Sequence, residues 1–209
     1  MIDDALLERL ARASSLRVGL ISDTHIPEAM PALWPQAYAA LEGVDCILHA
    51  GDIHDLSVID ELSEIAPTFV ARGNGDDGGA GRPVQPDDSR LREAWLLDLG
   101  GVRVGMTHTL PVPDYGGVWT LHAACERHFG SISEVDVLVC GDTHTEWVER
   151  IHGVLCVNPG SPTLPRNLRT SLGTFGFLQI ANGRASAHIR QLTEDGHAPL
   201  DWASWRRPL

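Results

Sequence analysis

Short apolar runs rich in β-branched residues alternate with amphipathic helical stretches through the first third of the chain. Residues 16–21 (LRVGLI), 44–49 (VDCILH) and 68–71 (TFVA) read as buried strands. Between the first two, residues 31–41 carry Leu33, Trp34, Ala37, Tyr38 and Leu41 at spacings of three and four, behind Pro31. Between the second pair, residues 55–65 place Leu56, Ile59, Leu62 and Ile65 along one helical face, with Asp55 as the expected N-cap. A β-α-β-α-β order implies a parallel sheet with helices packed on it. In such sheets ligands sit outside the carboxyl ends of the strands.

The residues at those ends are chemically distinctive. The first run exits into Asp23-Thr24-His25, the second into Gly51-Asp52 and the third into Gly73-Asn74. The pattern continues downstream. Residues 95–99 and 102–106 flank Gly100-Gly101 as a hairpin, and the second arm exits at His108. The apolar run 135–140 (VDVLVC) exits into Gly141-Asp142-Thr143-His144. Residues 120–129 read as a helix, and 147–151, 154–157, 174–180 and 185–192 as strands, with Gly183 at the last turn. Two stretches rich in Gly and Pro, 75–89 and 109–118, read as loops. The first is a mobile substrate-facing flap or a plain surface loop.

Composition narrows the function classes. With 209 residues, 43% hydrophobic and 21% charged, the chain can bury a sizeable core. A formal net charge of -12 argues against an extended nucleic-acid surface, which needs Lys and Arg to neutralise phosphates. It leaves room for a small phosphorylated substrate, because bound cations can invert a local field. Cys46, Cys125, Cys140 and Cys156 form no C-x-x-C pair and read as small buried hydrophobes. Residues 1–15, with Leu6, Leu7 and Leu10 at helical spacing, lack the basic start and apolar block of a signal peptide. No apolar run reaches the roughly 20 residues of a membrane span, so a cytoplasmic location away from membranes is expected.

Carboxylate, imidazole and amide oxygen are ligands for hard or borderline divalent metals. Asp23 and His25 stand two apart, and an extended backbone would point both at one ion. Asp52 is the candidate bridge. One ion would take Asp23, His25, Asp52 and His144; the other would take Asp52, Asn74, His108 and Asp142. Two cations about 3.5–4 Å apart can clamp a phosphoryl group and lower the pKa of a bridging water toward ~7, so that the hydroxide attacks phosphorus in line. Asp52, Asn74 and His108 are the candidate catalytic residues. His49 is expected to orient a ligand from behind, and His54, His122, His128, His152, His188 and His197 to be surface or structural.

The order D-x-H, G-D, G-N-x-D, H, G-x-T-H resembles the calcineurin-like metallophosphoesterases over residues 18–166. Ile21-Ser22-Asp23-Thr24-His25, His49-Ala50-Gly51-Asp52, Arg72-Gly73-Asn74-Gly75-Asp76 and Asn158-Pro159-Gly160-Ser161-Pro162 are most similar to the small bacterial YfcE-type phosphodiesterases. The resemblance implies a single metallophosphoesterase domain over residues 1–209, a four-layer α/β/β/α sandwich. It also implies a centre of two divalent ions, often manganese, with magnesium, zinc, iron or nickel as alternatives. The ligand sets above match the family's. The turn 158–161 has a family counterpart near the site; a tight Pro-Gly turn explains it equally well.

Two departures stand out. Asp142 replaces the imidazole of the usual Gly-His-Thr-His, which hardens the second ligand set toward manganese or magnesium. Gly75 stands where many members of the wider superfamily carry a general-acid His, although YfcE-type relatives lack it too. The expected activity is hydrolysis of phosphodiester bonds in small substrates. A phosphomonoesterase or nucleotide pyrophosphatase could use the same centre, and a non-catalytic protein-binding scaffold like the retromer subunit is the reading from another class. Arg72, Arg82 and Arg166 are candidate phosphate contacts, or solvated surface residues. The tail 193–209, with Trp202 and Trp205 expected to pack on the body, and the loop 75–89 are surfaces a homo-oligomer could use.

Overall fold

Each apolar run forms a strand, and the strands assemble into two sheets. The computed structural model describes residues 2–110, 118–167, 169–170 and 172–205. The first sheet contains β1 (Ser15–Ile21), β2 (Cys46–His49), β3 (Thr68–Ala71), β4 (Leu91–Arg92), β10 (Thr174–Ala181), β11 (Arg184–Thr193) and β12 (Gly196–Pro199), in the order β12-β11-β10-β1-β2-β3-β4. The second contains β5 (Ala94–Leu99), β6 (Val102–Thr107), β7 (Val137–Val139), β8 (Trp147–Ile151) and β9 (Val154–Asn158), in the order β5-β6-β7-β9-β8. β1 to β4 run parallel, as do β6, β7 and β9.

Alternation along the strands builds three apolar layers. Leu16, Val18, Leu20, Leu48 and Phe69 meet Leu97, Val104, Met106, Val139 and Val157 between the sheets. Ile21, Ile47 and Val70 face outward beneath α2 (Pro35–Leu41) and α3 (Ser57–Ile65), which contribute Leu41, Ile59 and Leu62. Leu138, Cys140 and Cys156 pack against Leu121, Cys125 and Phe129 of α4 (Val118–Phe129). The result is the α/β/β/α sandwich. Fully burying a side chain of this size contributes about 1.5–3 kcal/mol. A charged residue at Val18, which has no exposed surface, would therefore both lose that term and bury an unpaired charge. α1 (Asp4–Arg12), capped by the Asp3 carboxylate accepting from Leu6 N–H, seats Leu10 against the inter-sheet core.

Several details differ from the sequence expectations. α2 begins at Pro35 rather than Pro31, because a residue preceding proline is driven out of the helical region; Trp34 lies outside it at φ -57°, ψ 136°. α3 begins at Ser57, with the Asp55 carboxylate accepting from Ser57 N–H. The four cysteines are buried and free, as expected, and burial pushes the Cys46 thiol up to about 12. The loop 75–89 is tied down rather than loose. Arg72 donates to Asp77 Oδ1 at 3.2 Å and to Gln85 C=O at 3.0 Å, and Gln85 Nε2 donates to His54 C=O at 2.6 Å. The loop expected at 109–118 lies, over 111–117, outside the described residues. Trp205 packs on the body and donates to Glu146 Oε1 at 2.7 Å, whereas Trp202 stays 45% exposed. No helix among the described residues is long and apolar enough to cross a membrane.

Candidate metal centre

The parallel strands of both sheets end on one edge, and their exits face each other there. β1 delivers Asp23 and His25, β2 delivers Asp52, β3 delivers Asn74, β6 delivers His108, and β7 delivers Asp142 and His144. The structure brings all of these together. His25 Nε2 is 3.4 Å from Asp52 Oδ2 and 3.9 Å from Asp23 Oδ1. His144 Nε2 is 3.6 Å from Asp23 Oδ1. His108 Nε2 is 3.2 Å from Asn74 Oδ1, 3.4 Å from Asp52 Oδ1 and 3.7 Å from Asp142 Oδ1. Asp142 therefore faces the cluster, although its side chain keeps 38% of its exposure.

The geometry corrects one expectation. Asp23 and His25 are not extended: their φ angles are 54° and 46°. Asp52, Asp142 and His144 adopt the same left-handed conformation, at 57°, 69° and 53°. Asp, Asn and His tolerate this region better than other non-glycine residues, and such strain concentrates at functional sites. Backbone bonds hold these turns, with Asp23 N–H donating to Gly51 C=O at 2.9 Å and His25 N–H to Asp52 C=O at 3.0 Å.

A second set of residues ties the loops to one another. Asp76 is buried; its Oδ2 accepts from Asp52 N–H (3.0 Å) and Gly73 N–H (2.9 Å), and its Oδ1 from His54 N–H (2.9 Å). Burial raises its pKa. The turn 158–161 belongs beside the site. Ser161 Oγ donates to Asp23 C=O at 2.7 Å, and Asn158 Nδ2 to Gly141 C=O at 2.7 Å. Gly73 is required by close approach, since a Cβ there would lie 2.1 Å from Asp52 Oδ1 and 2.5 Å from its backbone nitrogen.

The imidazoles divide by the way Nδ1 is held. His108 Nδ1 donates to Ala50 C=O at 2.7 Å and His144 Nδ1 to Leu164 C=O at 2.8 Å, so each Nε2 is aimed at the carboxylates. His49 has the opposite sense: its Nδ1 accepts from Gly51 N–H at 3.1 Å, and its Nε2 faces Thr24 Oγ1 at 3.1 Å. Burial pushes His49 down to about 3, so it stays neutral and braces Thr24, between Asp23 and His25. Burial alone would lower His108, but the charges of Asp23 and Asp52 outweigh it and its pKa is raised. Burial would likewise raise Asp23, yet His25, His108 and His144 hold it below the usual range. The cluster thus favours positive charge between its carboxylates. His25 Nε2 is buried with no hydrogen-bond partner among the described residues. These donors fit divalent cations, and three sets of side chains, Asp23–His25–His144, His25–Asp52–His54 and Asp23–Asp52–His108, each bring their ligand atoms within 4.8 Å.

The sequence reading missed His54. It is not a surface residue: its side chain is fully buried at the centre, its Nδ1 is 2.8 Å from Glu28 Oε2, and its ring lies 4.1 Å from that of His25. The available signal was the spacing Asp52-Ile53-His54, which repeats Asp23-Thr24-His25 and Asp142-Thr143-His144. Two of the candidate phosphate contacts make structural contacts: Arg72 holds the loop 75–89, and Arg82 lies 3.6 Å from Glu28. Arg166 is exposed. A cleft of about 370 Å³ opens beside the centre, lined in part by Asn74, His108, Arg72 and Arg127.

Two packed sheets whose parallel strands end in a cluster of Asp, His and Asn define a metallophosphoesterase architecture. The chain belongs to the calcineurin-like phosphoesterase superfamily, whose domain matches residues 16–183. A probable metallophosphoesterase of Methanothermobacter thermautotrophicus is 34% identical over 149 residues, 71% of this chain and 78% of that protein. A phosphodiesterase of Methanocaldococcus jannaschii is 26% identical over 154 residues, 69% of this chain and 83% of that protein. Among solved structures, vacuolar protein sorting 29 of Cryptosporidium parvum shares the fold with a TM-score of 0.69 at 20% identity, covering 89% of this chain and 96% of that one.

Proposed function

We propose that the protein is a metal-dependent phosphodiesterase acting on small phosphodiesters through a dinuclear centre, with manganese as the preferred metal. The observation that carries this reading is the convergence of Asp23, His25, Asp52, Asn74, His108, Asp142 and His144 from five strand exits. Asp23, His25, Asp52 and His144 would hold one ion; Asp52, Asn74, His108 and Asp142 would hold the other. Two such ions supply an activated water at neutral pH and absorb charge developing on the phosphoryl oxygens. The protein's own part is positional. Asp76 and the turn 158–161 fix the loops, Ala50 and Leu164 carbonyls fix His108 and His144, and the cleft beside Asn74 admits substrate.

Phosphodiesterase activity in a relative covering most of this chain supports the choice of diesters. Residue 75 is Gly and offers no proton donor beside Asn74, so leaving groups must depart largely unassisted. Aryl phosphodiesters should therefore be turned over with higher kcat/KM than alkyl phosphomonoesters. The experiment is a phosphoester panel run with Mn, Mg, Zn and Ni, with Asp52→Ala alongside. Manganese-dependent diester hydrolysis that vanishes in a folded Asp52→Ala supports the reading. No hydrolysis by the wild type with any metal would favour a non-catalytic binding role on the same fold.

A further inference from the structure

His54 is an imidazole that the two four-residue ligand sets leave out, yet its local setting matches that of His25 and His144. It follows its aspartate at the same spacing as His25 and His144, and it adopts the same left-handed backbone, with φ 70°. Three Asp-x-His hooks thus occur in the site, each with both residues on the left-handed side of the map. Two independent residues bending identically in one such hook is already uncommon for non-glycine positions, and three hooks converge on the same few ångströms.

The ring's polarity agrees. Nδ1 is 2.8 Å from Glu28 Oε2, and a carboxylate can only accept, so Nδ1 carries the proton. Nε2 is then the bare lone pair. It is buried and has no hydrogen-bond partner among the described residues. This is the sense of His108 and His144, whose Nδ1 atoms are anchored on carbonyl oxygens, and the reverse of His49. A carboxylate holding the outer nitrogen while the inner one points at a cation is the usual support for a metal-binding imidazole. The ligand atoms of His25, Asp52 and His54 lie within 4.8 Å of one another.

Gly75 makes room for this ring. A Cβ at residue 75 would lie 2.3 Å from His54 Nε2 and 2.9 Å from Asp52 Oδ1. The absence of a side chain at 75 therefore has a steric reason: the space is taken by the imidazole from the neighbouring loop. The 0% exposure of the His54 side chain keeps it from reaching a leaving group in the cleft, so it does not restore a proton donor there.

We infer that His54 is a further protein ligand of the ion held by Asp23, His25, Asp52 and His144, with Glu28 as its positioning residue. The inference rests on the dinuclear reading proposed above. It predicts an uneven pair of sites, one rich in imidazole and one dominated by oxygen donors around Asp142.

The test is calorimetric titration of metal-stripped protein with Mn²⁺, joined to electron–nuclear double resonance on the Mn-loaded protein to count coordinated imidazole nitrogens. In His54→Leu the Kd of one ion should rise by more than the about 10–100-fold that loss of an outer support costs, while the other changes little, and the count should fall by one. Glu28→Ala should shift the same ion in the same direction by less. Wild-type affinities and an unchanged nitrogen count in a folded His54→Leu would overturn the inference. The wild-type count decides alone if that variant does not fold: four imidazoles over two ions support it, three refute it. Asp52→Ala separates the two levels. Loss of both ions there with no effect at His54 removes only the role of His54, whereas wild-type binding in Asp52→Ala removes the dinuclear reading and this inference with it.

Discussion

At the scale of single residues, the anchoring of one ring nitrogen decides what the other can do. His49 is as buried as any residue in the centre, yet its Nδ1 accepts from a backbone N–H, which leaves its Nε2 facing a hydroxyl. His108 and His144 donate from Nδ1 to carbonyls and present Nε2 to carboxylates. Asp142 matters for a related reason. It brings a third carboxylate toward the cluster that Asp23 and Asp52 already make acidic, and burial together with those charges raises its pKa. An added oxygen donor suits manganese or magnesium, and an imidazole in its place suits zinc. Asp142→His should therefore lower the preference for manganese over zinc by about tenfold, near 1.4 kcal/mol. Side-by-side Mn²⁺ and Zn²⁺ titrations of both proteins measure this ratio, and a ratio left unchanged by the substitution would speak against it.

At the scale of elements, the site is a set of loops held in register by one buried carboxylate. Asp76 receives three backbone N–H groups from residues 52, 54 and 73. Asp76→Ala would leave these donors without a partner at a cost of about 2–4 kcal/mol. For a chain of this length that corresponds to a fall in Tm of roughly 4–16 °C. Thermal melting would register it, and an unchanged Tm would mean that water replaces the carboxylate. This element also marks the limit of what the sequence discloses. Strand exits were legible at Asp23, Asp52, Asn74, His108 and Asp142, because an apolar run ending in a ligand-bearing turn is a local pattern. The parallel order of β1 to β3 followed from alternation with helices. The role of Asp76 was not legible, since two of its three bonds come from residues more than twenty positions away. His54 was passed over although Asp52-Ile53-His54 repeats the spacing of the other two Asp-x-His triplets, because that repeat gains its meaning only with the shared left-handed backbone and the Glu28 contact. β12 escaped for another reason: Gly196–Pro199 has no apolar alternation and pairs only because β11 offers an edge.

At the scale of the molecule, the three apolar layers and the acidic centre are separate stores of stability. The layers between and outside the sheets contain no candidate ligand. They should hold the sandwich together without metal, unlike small domains that unfold when their ion is removed. The centre behaves differently, because Asp23 and Asp52 are almost fully buried and stand close together. Each ion that binds only the folded chain stabilises it by about 2.7 kcal/mol at one hundred times its Kd, or about 5.4 kcal/mol for the pair. Two ions should raise Tm by roughly 11–22 °C for a protein of this size. Chelation should therefore lower Tm by that amount and leave the far-ultraviolet circular dichroism at 25 °C unchanged. A sandwich that loses its secondary structure on chelation would show the ions to be structural. Identical melting with chelator and with saturating Mn²⁺ would show that the acidic edge holds no ion, and the proposed chemistry would have no basis. The intermediate result, a stable fold whose rim alone responds, is the one that layers built apart from the site should give.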